Sequence, residues 1–483
     1  MNIKLISRYL GVTLIFNGSF MLLSMLVSIL NGMDSSFAPL LISGFITTIV
    51  GLFPLIFVRQ SEDIRLYDGF AITILAWFLS CIFGMLPYLM WGGEFTLANA
   101  FFESVSGFTT TGATILNDIE ALPKGLVFWR SSTHFIGGVG VVVFTLIVLP
   151  SMSTFRFKMT KMEISSLSKE NYRYRTKELI RIILSVYICI TILAFTSLCL
   201  AGMPAFDAVN HAFSIVATGG FSTKNASVMG FDSFPIEMVV SAFTLISGLH
   251  FGLLYSFVID RSTKIFKSPV IRFFLLSVII TTLAISFNLL HSHTVDNWFE
   301  ALRRSFFQVV TISTTTGFAT ADTSVWPTFS ILILMYLSIQ GACSGSTTGG
   351  LKVDRIWILI QTIKAQMTKL LHPTSVVQIK VGNRRIDSDL SLSVSLFVAL
   401  YFFVVIVGAI VVSAWGLDFT DAFTSSVSMT ANIGPAFGSC GSLENFSHFP
   451  GSVKVFFSLQ MLLGRLEIYP LLMIFSIFRI RRG

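Results

Sequence analysis

Phe306–Thr320 reads FFQVVTISTTTGFAT, a half-apolar run that ends in three threonines and a glycine and then leaves the helical pattern. Three other stretches lie on it without gaps once one glycine is matched: Phe101–Thr114 (FFESVSGFTTTGAT), Val209–Ser222 (VNHAFSIVATGGFS) and Phe423–Ala436 (FTSSVSMTANIGPA). The glycines in register are Gly112, Gly220, Gly317 and Gly434. About a hundred residues separate each from the next, far more than a solenoid period. The chain therefore reads as four copies of one larger unit. A single Thr-Thr-Gly would be turn chemistry; four copies of the aligned segment, each set between long apolar runs, ask for another reason.

Main-chain geometry supplies one. A chain that lines a narrow hole with its own carbonyls needs backbone angles that a Cβ obstructs, and glycine removes the obstruction. The neighbouring Thr, Ser and Asn side chains are small and add oxygen. Four such segments around an axis would present rings of carbonyl oxygens able to replace the water shell of a dehydrated monovalent cation.

Composition restricts the setting. Of 483 residues 53% are hydrophobic and 12% charged, with a mean hydropathy of +0.79, which excludes a water-soluble globule of ordinary composition. The formal charge of +8 does not point to nucleic acid, because Lys and Arg sit in short loops between apolar runs, as membrane topology requires. Cys81, Cys189, Cys199, Cys343 and Cys440 show no CxxC spacing and suggest neither a disulfide framework nor a metal site. Lys4 and Arg8 before an apolar run resemble a signal peptide, but without a small-residue cleavage site a retained first helix is expected.

Ten stretches are long and apolar enough to span a bilayer: Arg8–Leu30, Phe37–Val58, Tyr67–Trp91, Leu126–Pro150, Leu179–Ala201, Phe234–Ile259, Val270–Leu290, Ser330–Ile363, Leu390–Trp415 and Val453–Ile480. The basic segments (Arg59 and Arg65; Arg156 to Arg181; Arg261 to Arg272; Lys364 to Arg385; Arg479 to Arg482) all fall on the side reached after an even number of crossings, with the N-terminus. That side, and both termini, are expected to be cytoplasmic. The glycine motifs lie on the opposite side with acids such as Asp118, Glu120 and Glu444, an excess that Lys124, Lys224, Arg303, Arg304 and Lys454 dilute.

The predicted fold is an all-α integral membrane protein. An accessory hairpin (1–66) precedes four repeats, 67–165, 166–262, 263–385 and 386–483, each a helix, a re-entrant half-helix with its glycine motif, and a second helix around a central pore. The half-helices, near Thr96–Phe108, Ala205–Val216, Trp298–Ile312 and Thr420–Met429, are too short to cross. Their C-terminal ends would aim partial negative charge inward. The eighth span contains GACSGSTTGG (Gly341–Gly350), dense enough in glycine to unwind its centre. The sequence reads there as a flap below the third motif; a tight packing face is the alternative.

The fourfold pattern with TTTGAT, ATGGFS, TTTGFA and ANIGPA resembles the TrkH/KtrB/HKT superfamily of potassium transporters. HFIGGVGVVVF (His134–Phe144), Gly341–Arg355 and GRLEIYPLL (Gly464–Leu472) are similar to its TrkH branch, as is the extra N-terminal hairpin. The resemblance covers essentially the whole chain. It implies a bacterial inner-membrane potassium-uptake protein, paired as a homodimer in the lipid bilayer on a cytosolic TrkA-type ring that binds NAD(H), ADP or ATP. The chain itself would carry K+ as its transported ion and hold no nucleotide. The carbonyls implied as potassium ligands are those of Thr110, Thr111, Gly112 and Ala113; Thr218, Gly219, Gly220 and Phe221; Thr315, Thr316, Gly317 and Phe318; and Asn432, Ile433, Gly434 and Pro435. The intramembrane loop, with Gly341, Cys343, Gly345, Gly349 and Gly350, is implied as a gate that Arg465 contacts. Some plant relatives carry serine for the first glycine and prefer sodium, so Gly112 points to potassium. The fourth segment lacks Thr-Thr-Gly, which makes the ring chemically unequal and its expected selectivity modest.

Arg465 is the clearest charge inside a span. It is expected to hold loop carbonyls or raise a barrier to cations, with pairing to Glu467 as the structural alternative. Lys352 and Asp354 would transmit a partner's pull or mark the membrane boundary; Arg130 and His134 read as packing anchors. A secondary transporter with alternating access, the runner-up, would show two inverted repeats rather than four parallel ones. An intramembrane enzyme has no support from HExxH or GxSxG, and no catalytic residue is expected.

Overall fold

The apolar runs fold as helices because backbone groups in a bilayer have to be satisfied within their own segment. The computed structural model describes residues 2–58, 66–148, 176–375, 377–382 and 384–468. Helices α1 (Ile3–Leu30) and α2 (Phe37–Phe57) form a hairpin. Their glycines face one another so closely that a Cβ on Gly11 would lie 2.5 Å from the Gly51 carbonyl oxygen, the small-residue packing that membrane helices favour. Then follow α3 (Leu66–Gly84), α4 (Leu86–Trp91), α5 (Leu97–Phe108) and α6 (Lys124–Val148). Helices α7 (Thr176–Leu200), α8 (Ala205–Ala217), α9 (Phe234–Ser247), α10 (Phe251–Val258) and α11 (Lys264–Lys267) come next. The third stretch holds α12 (Pro269–His291), α13 (Trp298–Ser313), α14 (Thr328–Gln340) and α15 (Val353–Leu371), and the last α16 (Ser388–Ser413), α17 (Phe419–Ala431) and α18 (Gly451–Arg465).

Among the described residues six helical stretches are long and apolar enough to cross a membrane, and α9 with α10 makes a seventh if the bent pair is one span. The expected spans differ from the helices in four places. Tyr67–Trp91 turns at Met85, between α3 and α4. Phe234–Ile259 is broken after Ser247, and its halves meet at 103°. The eighth stretch stops at Gln340 and resumes at Val353, so Gly341–Gly350 is not helical. Helix α18 ends at Arg465, after which Glu467 and Ile468 take left-handed angles, φ 56° and 55°; the rest of that expected span, to Ile480, lies outside the described residues. Gly345 and Gly350 do the same inside the loop, φ 79° and 72°, which only glycine adopts without strain. The basic segment at Lys380–Arg385 is not a plain loop either: Ile379–Val381 and Arg384–Ile386 pair as a two-stranded antiparallel hairpin. The basic residues expected at 59–65, 156–175 and 479–482 lie outside the described residues.

The short helices α5, α8, α13 and α17 carry the central structure. Threonine, asparagine and aspartate cap three of them: Thr96, Asn297 and Asp418 accept main-chain N–H bonds of the first turn. Each short helix packs between the helices before and after it in sequence and against one helix of another unit. Helix α5 touches α3, α6 and α18; α8 touches α7, α9 and α6; α13 touches α12, α14 and α9; α17 touches α16, α18 and α14. The third contact always comes from the unit before, and α18 closes back on α5. That order is cyclic.

Candidate functional site

The four short helices end in the same way. Thr110, Thr218, Thr315 and Asn432 have φ of 50°, 53°, 52° and 56°. Each donates its N–H to the carbonyl three residues back, and the next residue donates to the carbonyl five back: Thr111 to Ser106 at 2.9 Å, Gly219 to Ser214 at 2.8 Å, Thr316 to Thr311 at 2.7 Å and Ile433 to Ser428 at 3.1 Å. This is a Schellman ending, which normally puts glycine in the left-handed place. Threonine or asparagine there costs about 1–2 kcal/mol per residue. The cost is incurred at all four equivalent positions, as strain held at a functional site is.

Two residues later the glycines take φ of 81°, 84°, 79° and 102°. Their missing side chains are where the segments meet. A Cβ on Gly112 would lie 2.0 Å from the Gly219 oxygen, on Gly220 2.1 Å from that of Thr316, on Gly317 2.1 Å from that of Ile433 and on Gly434 2.5 Å from that of Thr111. Each glycine abuts the carbonyl just before the next glycine, and the fourth returns to the first. The result is a closed ring of main chain. A cavity of about 60 Å³ opens on it, touching all four glycines and walled by Ser222, Asn225 and Glu444.

A hydroxyl six residues before every aligned glycine fixes these segments. Ser106 donates to the Ala113 carbonyl at 2.6 Å, Thr311 to that of Phe318 at 3.0 Å and Ser428 to that of Gly434 at 2.9 Å. In the second unit Ser214 instead meets Nδ1 of His134 at 3.0 Å. His134 stacks on Phe221 with ring centroids 4.0 Å apart, and the Arg130 guanidinium lies 3.6 Å from the same ring. Arg130 also donates to the Ser222 carbonyl at 3.0 Å and pairs at 2.6 Å with Glu103, both side chains being 2% exposed or less. Glu103 in turn accepts from the Thr114 hydroxyl at 3.0 Å and Ile115 N–H at 3.1 Å. One buried ion pair thus joins the first segment to the second.

The non-helical loop Gly341–Gly350 lies against the ends of the short helices. Thr347 donates to the Val216 carbonyl at 2.9 Å, and its hydroxyl is 3.4 Å from that of Thr218. Gly349 donates its N–H to the Thr315 hydroxyl at 2.8 Å; a Cβ on Gly349 would strike the Ala431 oxygen at 2.1 Å. The loop therefore reaches the ends of three of the four short helices. Arg465, 6% exposed, donates to the Thr347 carbonyl at 2.8 Å. The alternative partner Glu467 bonds Arg355 at 2.5 Å instead. Asp354 accepts the Ser344 N–H at 2.6 Å, so it ties the loop rather than only marking a boundary.

Of the residues singled out from the glycine motifs, Gly112, Gly220, Gly317 and Gly434 meet the carbonyls of Thr111, Gly219, Thr316 and Ile433, Thr110, Thr218, Thr315 and Asn432 end the short helices behind them, and Phe221 and Phe318 stack on His134 and His211. Of the loop residues and Arg465, Gly349 and Arg465 make the bonds just described, whereas Cys343 and Gly345 bond the break between α9 and α10. Arg130 and His134 are packing anchors as expected, whereas sequence reasoning missed their partner Glu103 and His250 at the broken span. The signal for the hydroxyl positions was present in the aligned strings. The others depend on partners distant in sequence, such as Arg130 and Ser222, and no spacing shows them.

A family model for TrkH, described as cation transport protein, matches residues 39–479. The Trk system potassium uptake protein TrkH of Salmonella typhimurium is 36% identical over 86% of this chain and 87% of its own. The protein of the same name from Halomonas elongata is 33% identical over 99% of each chain. The crystal structure of the potassium transporter TrkH from Vibrio parahaemolyticus superposes with a TM-score of 0.89 at 32% identity, covering 98% of both chains.

Proposed function

The chain belongs to the TrkH family of cation transport proteins, and from that premise we propose that it takes up potassium across a bacterial inner membrane through the ring of main-chain carbonyls. The observation that carries this reading is the closed sequence of contacts from Gly112 through Gly220 and Gly317 to Gly434 and back to the first segment. Carbonyl dipoles fixed in a ring substitute for the hydration shell of an alkali cation, and the C-terminal ends of four short helices add negative potential beneath it. The Thr110–Ala113, Thr218–Phe221, Thr315–Phe318 and Asn432–Pro435 carbonyls are the ligands in this reading, within four pseudo-symmetric repeats and ten crossings.

The loop Gly341–Gly350 is the gate. Its bonds to Val216 and Thr315 seat it under the ring, and Arg465 holds it there by the Thr347 carbonyl while placing a buried cation on the ion's path. A homodimer on a cytosolic TrkA-type, nucleotide-binding ring would pull the loop aside, with both termini on that ring's side.

Rubidium and sodium flux into proteoliposomes tests the filter. Wild type is expected to prefer rubidium. Gly112→Ser and Gly317→Ser, whose new Cβ atoms meet a carbonyl oxygen at 2.0 and 2.1 Å, are expected to lower the preference about tenfold, or roughly 1.4 kcal/mol of discrimination. Undiminished preference in both variants, at equal amounts of folded protein, would remove the assignment.

A further inference from the structure

The break between α9 and α10 is bonded to the intramembrane loop from both sides. Cys343 donates its N–H to the Gly248 carbonyl at 3.1 Å, and Phe251 donates its own to the Gly345 carbonyl at 3.1 Å. His250 lies between these bonds. Its Nδ1 accepts from Gly252 and Leu253 N–H at 3.0 and 3.3 Å, the capping of a new helix, which leaves the neutral ring's proton on Nε2. That edge faces the loop: a Cβ on Gly345 would lie 2.7 Å from Cδ2 and 2.8 Å from Nε2 of His250. Nε2 has no hydrogen-bond partner among the described residues. Gly248 is also closely packed, its added Cβ meeting Thr314 at 3.0 Å and Ala342 at 3.3 Å. The break, the loop and the end of α13 form one stack.

We propose that the bend at Gly248–His250 is a latch for the loop, with His250 as the positioning residue whose ring seats Gly345. The inference rests on reading the loop as a gate and adds a second element to it. The loop cannot leave the underside of the ring until both main-chain bonds break and the imidazole slides off Gly345. Those events are local to the bend, so α10 has to shift when the loop does. Latch and loop are one two-state element.

The test reads the loop directly. In a chain whose Cys81, Cys189, Cys199 and Cys440 are replaced by serine, Cys343 is the remaining thiol, 2% exposed. The rate at which a small thiol reagent modifies it reports loop release, alongside resting rubidium flux from proteoliposomes. His250→Asn keeps a good cap for α10 but removes the ring over Gly345. It is expected to raise the Cys343 rate about tenfold or more and to raise resting flux severalfold. Gly345→Ala presses on the ring from the loop side and is expected to act in the same direction, which covers the case in which one variant fails to fold. If His250 only capped α10, asparagine would leave the Cys343 rate unchanged; an unchanged rate in the folded variants overturns the latch. A faster rate without added flux supports the latch and removes the loop's gate role.

Discussion

Glu103 shows how much of this site depends on single buried groups. Its carboxylate collects the Thr114 hydroxyl, the Ile115 N–H and the Arg130 guanidinium, and Arg130 passes the restraint on to Ser222. Glu103→Gln leaves Arg130 buried beside a neutral amide. Breaking such a pair costs about 3–5 kcal/mol, so the purified variant is expected to melt well below wild type and, where it folds, to discriminate less between rubidium and sodium. A variant that melts and discriminates like wild type would mean that the pair braces nothing. At this scale the sequence was half legible. The glycines announced themselves because the same backbone demand recurs at Gly112, Gly220, Gly317 and Gly434. Glu103 did not, since an acid within an apolar half-helix looks like any other until Arg130 is known to lie beside it.

Helices and loops moved further from expectation. Apolar runs gave the long helices to within a few residues, because bilayer length and hydropathy determine both. Breaks were legible where glycine was dense, at 341–350, and hidden after Ser247, where His250 caps the helix that follows. The end of α18 was hidden too, at Arg465, where Glu467 turns left-handed. Two element-scale consequences follow. Arg465→Ala removes the bond to the Thr347 carbonyl and is expected to raise resting rubidium flux severalfold; unchanged flux at equal protein density would end its gate role. The accessory hairpin is tied to α6 through Asp34. Burial alone would raise its pKa, but the Ser28 and Ser36 hydroxyls and the Gly125 and Ser36 N–H groups outweigh that and hold it below the ordinary 3.8. A depressed folded pKa means stability that is present above 3.8 and lost as pH falls through the folded value. Asp34→Asn is therefore expected to lower the melting temperature at neutral pH and to converge on wild type as pH falls below 3.8 and through the folded pKa. A difference that persists undiminished in acid would assign the effect to something other than the charge.

Across the whole molecule, four unequal segments make one ring because each aligned glycine abuts its neighbour's main chain, with side-chain ties such as Asn432 Nδ2 to Thr111 Oγ1 at 3.0 Å added to it. That is why Asn432, Ile433 and Pro435 stand in the fourth segment without a Thr-Thr-Gly motif: the left-handed residue, the glycine two places on and the hydroxyl six places back are all retained at Asn432, Gly434 and Ser428. The cyclic packing of α5, α8, α13 and α17 against helices of the preceding unit sets the order. Sequence alignment of the four strings could suggest a ring, but only coordinates give its closure. The most direct measurement is anomalous diffraction from crystals grown in rubidium. The account expects a peak on the axis within coordination distance of the carbonyls of Thr111, Gly219, Thr316 and Ile433, weakened when sodium replaces rubidium. Rubidium bound away from those oxygens, with none at the ring, would contradict it.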